Sequence, residues 1–139
     1  MPKRSVFLVQ REVAERMAAR EDTESYGALS VNVAAVASVE QVLTVPASAF
    51  RPPPKVESAV VRLTPRVRPL VPADQLPAFR AFVQAAFGLR RKQMQRVLRT
   101  ARGLSPEQAA AMLDRAGIEQ AARPEVLSPG KFAELFALI

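Results

Sequence analysis

The chain has 139 residues, 49% of them hydrophobic, and carries 20 Lys and Arg against 13 Asp and Glu for a net charge of +7. That length bounds it to one modest domain or one and a half small ones, and the lack of any Cys means the core is held by packing without disulfides. The absence of both Cys and His removes the commonest zinc ligands, thiolate nucleophiles and imidazole bases, and with them most hydrolase mechanisms within this chain.

The basic excess favours a polyanionic partner, with nucleic acid first and an anionic membrane surface second. No run approaches the roughly 20 apolar residues of a bilayer span, and the opening MPKRSVFLVQ has too short an apolar stretch for a secretory signal. A cytoplasmic protein is the expectation, and no metal is expected.

In chain order, Val6, Phe7, Leu8 and Val9 form a continuous apolar run of the kind found in a strand buried on both faces, as in a parallel sheet. It passes into Arg11 to Arg20, where Val13, Ala14, Met17 and Ala18 recur at helical spacing. One strand and one helix cannot bury both faces of such a strand, so the folded unit is expected to extend beyond Met1. The alternative is that the strand pairs with later ones in a complete small domain. Glu21 to Tyr26 reads as a loop. Gly27 to Val36 is ambiguous between helix and strand and leans to helix. Val39, Val42, Leu43 and Val45 predict a strand closed by Pro46, and Ser58 to Thr64 predicts another closed by Pro65.

Between those strands, Phe50-Arg51-Pro52-Pro53-Pro54-Lys55-Val56 is stiff, because consecutive prolines fix φ near about −65° and favour an extended path. The Pro- and Arg-rich stretch 66–75 reads as a linker. Beyond it the pattern is helical. Leu76, Phe79, Phe82, Val83, Ala86 and Phe87 share a face of a helix ended by Gly88. A second helix runs from about Arg91 to Ala101 with Met94, Val97, Leu98 and Ala101 inward. Ser105-Pro106-Glu107 and Ser128-Pro129-Gly130 are start signals for two more, the first ending at Gly117.

Two features carry chemistry. Arg90, Arg91, Lys92, Arg96, Arg99 and Arg102 form the densest basic cluster, with no acid between Asp74 and Glu107, and Lys92, Arg96 and Arg99 are spaced to share a helix face. Like charges a turn apart are unfavourable, so phosphate is the natural partner; a merely solvated basic face is the plainer alternative. Phe50 sits on the stiff segment, where a ring could receive a base taken out of the stack, or simply join the core. Arg51 and Lys55 flank it and either meet phosphates or remain solvated. The glycines, Gly27, Gly88, Gly103, Gly117 and Gly130, are isolated, so no cofactor cradle is legible.

The stretch Phe50-Arg51-Pro52-Pro53-Pro54-Lys55-Val56-Glu57-Ser58-Ala59-Val60-Val61-Arg62-Leu63 closely resembles the small-subunit ribosomal RNA adenine N6,N6-dimethyltransferase family. Residues 6–17 are similar to the strand and helix that follow the family's catalytic motif, 26–31 to the next element, and 86–92 with Leu98 to the basic motif of its C-terminal helical domain. The resemblance implies an α/β fold: residues 1–65 as the C-terminal part of a Rossmann-like methyltransferase sheet, 66–75 as linker, and 76–139 as a small all-α RNA-binding domain.

It further implies S-adenosylmethionine as methyl donor, held by motifs that precede this chain. The substrate would be two adjacent adenines near the 3′ end of small-subunit ribosomal RNA, and the partner an immature small ribosomal subunit. Phe50 resembles the aromatic that packs on the target adenine, the one position in this chain tied to catalysis, and Arg90, Arg91 and Lys92 resemble the RNA-contacting set. The competing readings are a non-catalytic ribosome-binding protein, the large-subunit adenine methylase of macrolide resistance, and a membrane-surface helix. The 55–61 stretch argues against the methylase by resemblance, and the missing Trp and large apolar face argue against the membrane helix.

Overall fold

A computed structural model of the chain describes residues 4–89 and 92–139. In order, the elements are β1 (Ser5–Gln10), α1 (Arg11–Ala18), α2 (Ala28–Ala34), β2 (Ala37–Val45), β3 (Ser58–Pro65), α3 (Leu76–Gly88), α4 (Met94–Arg102), α5 (Pro106–Arg115) and α6 (Pro129–Leu138). The fold is α/β, as the sequence predicts, with the strands confined to the first half. The ambiguous stretch 27–36 resolves as α2. Its start is tied to α1, since the Gly27 N–H donates to Ser30 Oγ at 3.2 Å and the Ser30 hydroxyl donates to the Arg16 carbonyl.

The strands form one antiparallel sheet in the order β1-β3-β2, pairing Leu8 with Val60 and Val60 with Leu43. The β2 ladder slips between Gln41 and Leu43, leaving Val42 as a bulge. Because side chains alternate across a strand, Val9, Ala59 and Val61 face α1, where they form a small core with Ala14 and Met17. Leu8, Val60 and Leu43 face the other way, and no described helix covers them. This corrects the expectation for residues 6–9. The run is a strand, but it pairs antiparallel at a sheet edge, and Val6, Phe7 and Leu8 are 63%, 48% and 53% exposed. Its pairing with β3 follows the alternative reading; its exposure fits neither that nor burial on both faces.

The second core is larger. Phe79, Phe82, Val83, Met94, Val97, Leu98, Leu113, Phe132 and Leu135 are buried together, with Phe79 and Phe136 meeting edge-on at 5.3 Å between ring centres. The helix starts follow the sequence signals. Ser105 Oγ accepts from the Gln108 N–H at 3.1 Å while Gln108 Oε1 accepts from the Ser105 N–H at 2.9 Å, a reciprocal capping box. Ser128 Oγ accepts from the Lys131 N–H at 3.1 Å. Gly103 and Gly117, with φ of 65° and 70°, take the left-handed turn that ends α4 and α5.

Residues 66–75 are anchored to their surroundings at Arg66, Leu70 and Val71. Val71 is buried in the large core, and the Arg66 N–H donates to Val36 O and the Leu70 N–H to Ala35 O, both at 2.9 Å, while residues 67–69 and 72–75 are exposed. Tyr26, Val31 and Ala35 join the same core, so it draws on residues from both sides of that segment. Two smaller corrections concern α4. Ala101, expected inward, is exposed, and the helix begins at Met94, so Lys92 lies in the turn before it.

Candidate nucleic-acid interface

The first part of the site is the connection 46–57 between β2 and β3. A 3-10 turn at Ala47–Ala49 follows Pro46, with the Ala49 N–H donating to Pro46 O at 3.0 Å and the Phe50 N–H donating to Ala47 O at 3.2 Å. Phe50 itself is half-buried, whereas Arg51 and Lys55 are exposed. The connection ends against α1: the Arg11 N–H donates to Glu57 O at 2.9 Å, Arg11 Nη1 donates to Glu57 Oε1 at 2.9 Å, and Arg11 Nε donates to Glu15 Oε1 at 3.0 Å. These carboxylates, Glu15 first and then Glu57, favour the charged guanidinium and raise its already high pKa. A cleft of about 440 Å³ opens here between Gln10, Glu15, Lys55 and Glu57.

The second part is α4. Its buried side carries Met94, Val97 and Leu98, which leaves Arg96 and Arg99 exposed one turn apart. Lys92 is exposed, its N–H donating to Leu89 O at 3.0 Å. Arg102 has a packing role: its guanidinium lies over the Phe82 and Phe136 rings at 5.8 and 5.6 Å. Arg90 and Arg91 lie outside the described residues. A cleft of about 520 Å³ sits between the start of α2 and the end of α3, lined by Arg16, Tyr26, Phe87, Leu89 and Glu125 among others. At its wall Tyr26 donates to Leu127 O at 2.6 Å; burial, aided by Glu21, pushes its hydroxyl pKa up.

The two parts lie on different elements, one on the connection between β2 and β3 and the other on α4. β3 runs from the connection at Ser58 to Pro65, beside the residues that dock on the large core, and at roughly 3.3 Å per residue it separates those ends by about 25 Å. The arrangement sets a half-buried aromatic at one end of the sheet and a basic helix face on the helical body.

Nothing in the described residues resembles a nucleotide cradle. Gly27 begins α2, Gly88 ends α3, Gly103 and Gly117 follow α4 and α5, and Gly130 lies in the first turn of α6; the β1 to α1 junction has no glycine. An S-adenosylmethionine site does not fit these residues. No group of three or more His, Cys, Asp or Glu able to hold a metal occurs among the described residues, and no described helix is long and apolar enough to cross a membrane.

Sequence reasoning missed the Arg11–Glu57 contact, because charges 46 positions apart carry no local signal. Arg11 and Glu15, four apart, pair along the helix face.

The chain thus joins a short antiparallel sheet and an aromatic on a proline-stiffened connection to a basic helical body. The family model for ribosomal RNA adenine dimethylase matches residues 1–139, and the chain belongs to that family. It is 41% identical over 138 residues to ribosomal RNA small subunit methyltransferase A of Synechocystis sp., covering 96% of this chain and 46% of that protein. Over 135 residues it is 45% identical to the methyltransferase of the same name from Anaeromyxobacter dehalogenans, covering 95% and 46%.

Among solved structures, it is similar to the 23S rRNA methyltransferase ErmE, with 28% identity, a TM-score of 0.64 and coverage of 97% of this chain and 54% of that one. A dimethyladenosine transferase from Plasmodium falciparum shares the fold at a TM-score of 0.77 with 22% identity, covering 98% and 56%. The chain spans about half the length of the curated relatives it matches.

Proposed function

We propose that this chain is the target-positioning and RNA-docking part of an S-adenosylmethionine-dependent enzyme that dimethylates N6 of two adjacent adenines near the 3′ end of small-subunit ribosomal RNA, acting on the immature subunit in the cytoplasm. Membership of the dimethylase family across the whole chain carries this reading. Phe50 supplies the platform on which the target adenine stacks, flanked by Arg51 and Lys55 at the phosphates. Arg90, Arg91, Lys92, Arg96 and Arg99 dock the RNA backbone. Residues 1–65 are the end of the methyltransferase domain and 76–139 the RNA-binding domain, joined through 66–75. The rest of that domain would hold the methyl donor, pack on the open face of Leu8, Val60 and Leu43, and continue the sheet past the free edge of β1. Identities of 41% and 45% to small-subunit enzymes, against 28% to the large-subunit enzyme of known structure, favour the small-subunit substrate.

Salt titration of small-subunit binding tests the docking surface. Each phosphate contact adds about 0.9 to the slope of log affinity against log salt for a duplex. Arg96→Ala with Arg99→Ala is expected to lower the slope by about 2; an unchanged slope would remove α4 from the interface.

A further inference from the structure

We propose that Arg11 and Glu57 are positioning residues for base capture: together they clamp the end of the 46–57 connection onto the first turn of α1 and so fix where Phe50 presents its ring. The inference rests on the reading of Phe50 as the adenine platform.

The geometry gives the connection unequal anchorage. On the Phe50 side it is held by the turn at Ala47–Ala49. From Arg51 to Val56 every residue is exposed, and none makes a hydrogen bond among the described residues. Anchorage resumes at Glu57, which meets Arg11 twice, through the backbone pair and the side-chain pair, both at 2.9 Å. Pro52, Pro53 and Pro54 have little backbone freedom, so a displacement at Glu57 is passed back toward Phe50 with few joints to absorb it.

Arg11 is itself steadied by Glu15 one turn along α1, which prevents the guanidinium from following a moving loop. Both side chains of the pair are about half exposed, at 50% and 45%. A pair this open adds little to global stability, whereas the orientation of an otherwise untied loop is sensitive to such a small term. The same contact leaves Lys55 as the cation without an ion pair among the described residues at the cleft that Glu57 and Glu15 line.

The probe is a short single-stranded RNA bearing two adjacent adenines, one replaced by 2-aminopurine. Its fluorescence reports stacking on a ring, and anisotropy of an end label reports overall binding. Arg11→Met and Glu57→Gln are each expected to cut the fluorescence change by about threefold or more while overall affinity stays within about twofold and the thermal midpoint is unmoved. The double variant should be no worse than either single, since both remove one contact, and Arg11→Lys should retain most of the signal.

Phe50→Ala separates the two levels of the claim. If it abolishes the signal while Arg11→Met and Glu57→Gln preserve it, or if their losses simply add, the clamp is wrong and the platform stands. If Phe50→Ala leaves the signal intact, or the unsubstituted chain gives none, the platform reading fails and the clamp with it.

Discussion

The helical body and the sheet are built from equally apolar segments and reach very different states. In the body, Phe79, Leu98, Leu113 and Phe132 are almost completely enclosed, and aromatic rings pack edge to face around them. In the sheet, complete burial among the described residues reaches Ala59 and Val61, with Ala14 of α1 against them, while Val6, Leu8 and Leu43 are half exposed or more. The difference lies in cover. Four helices supply each other's apolar faces in the body, with Tyr26, Val31 and Ala35 from α2 and its approach filling one side. α1 and α2 cover only one face of the sheet. An apolar strand records how much burial its sequence is written for, and the burial it attains depends on the neighbours it is given.

The sharpest way to break this contrast is to separate the two regions. Residues 1–65 alone are expected to be poorly ordered and residues 76–139 to fold alone, though less stably than in the whole chain because they lose Tyr26, Val31, Ala35 and Val71 from their core. Equal, strong hydrogen-exchange protection in both parts of the intact chain would contradict it.

Core truncation comes next. Phe132→Ala is expected to cost about 3–5 kcal/mol in denaturant unfolding, against roughly 1.5 kcal/mol for Val61→Ala, which removes two methyl groups beneath α1. Similar costs would mean the sheet is as tightly built as the body. Ser105→Ala should cost about 1 kcal/mol by opening the capping box of α5, read in the same titration.

The smallest effect concerns pH. Burial raises the pKa of the Tyr26 hydroxyl, so the folded state favours its neutral form. That contribution is complete below the ordinary tyrosine value of about 10 and is lost as pH rises above it. Tyr26→Phe, which removes the chain's single tyrosine, should flatten the fall in stability above pH of about 10.

Much of this was legible from local signals. The serine and proline starts of α5 and α6, the glycines ending α3 and α5, and the prolines closing β2 and β3 gave those elements nearly to the residue, because caps and breakers act within one turn. Phe50 and the basic run were legible as candidates since each stands out from its immediate neighbours. What was not legible depended on distant partners. The antiparallel edge position of β1, the burial of Val71 inside a segment read as a linker, and the Arg11–Glu57 clamp are contacts between residues far apart in sequence. The stacking of Arg102 over Phe82 and Phe136 likewise joins distant residues, and Lys92 reads as helical because periodicity does not mark where α4 starts.

The most direct test of the account is calorimetric titration of this chain with S-adenosylmethionine, with transfer of labelled methyl to immature small ribosomal subunits measured on the same preparation. The account expects no cofactor binding and no transfer, alongside subunit binding that weakens steeply with salt. Cofactor binding with transfer would contradict it and would mean that these residues contain a methyl-donor site.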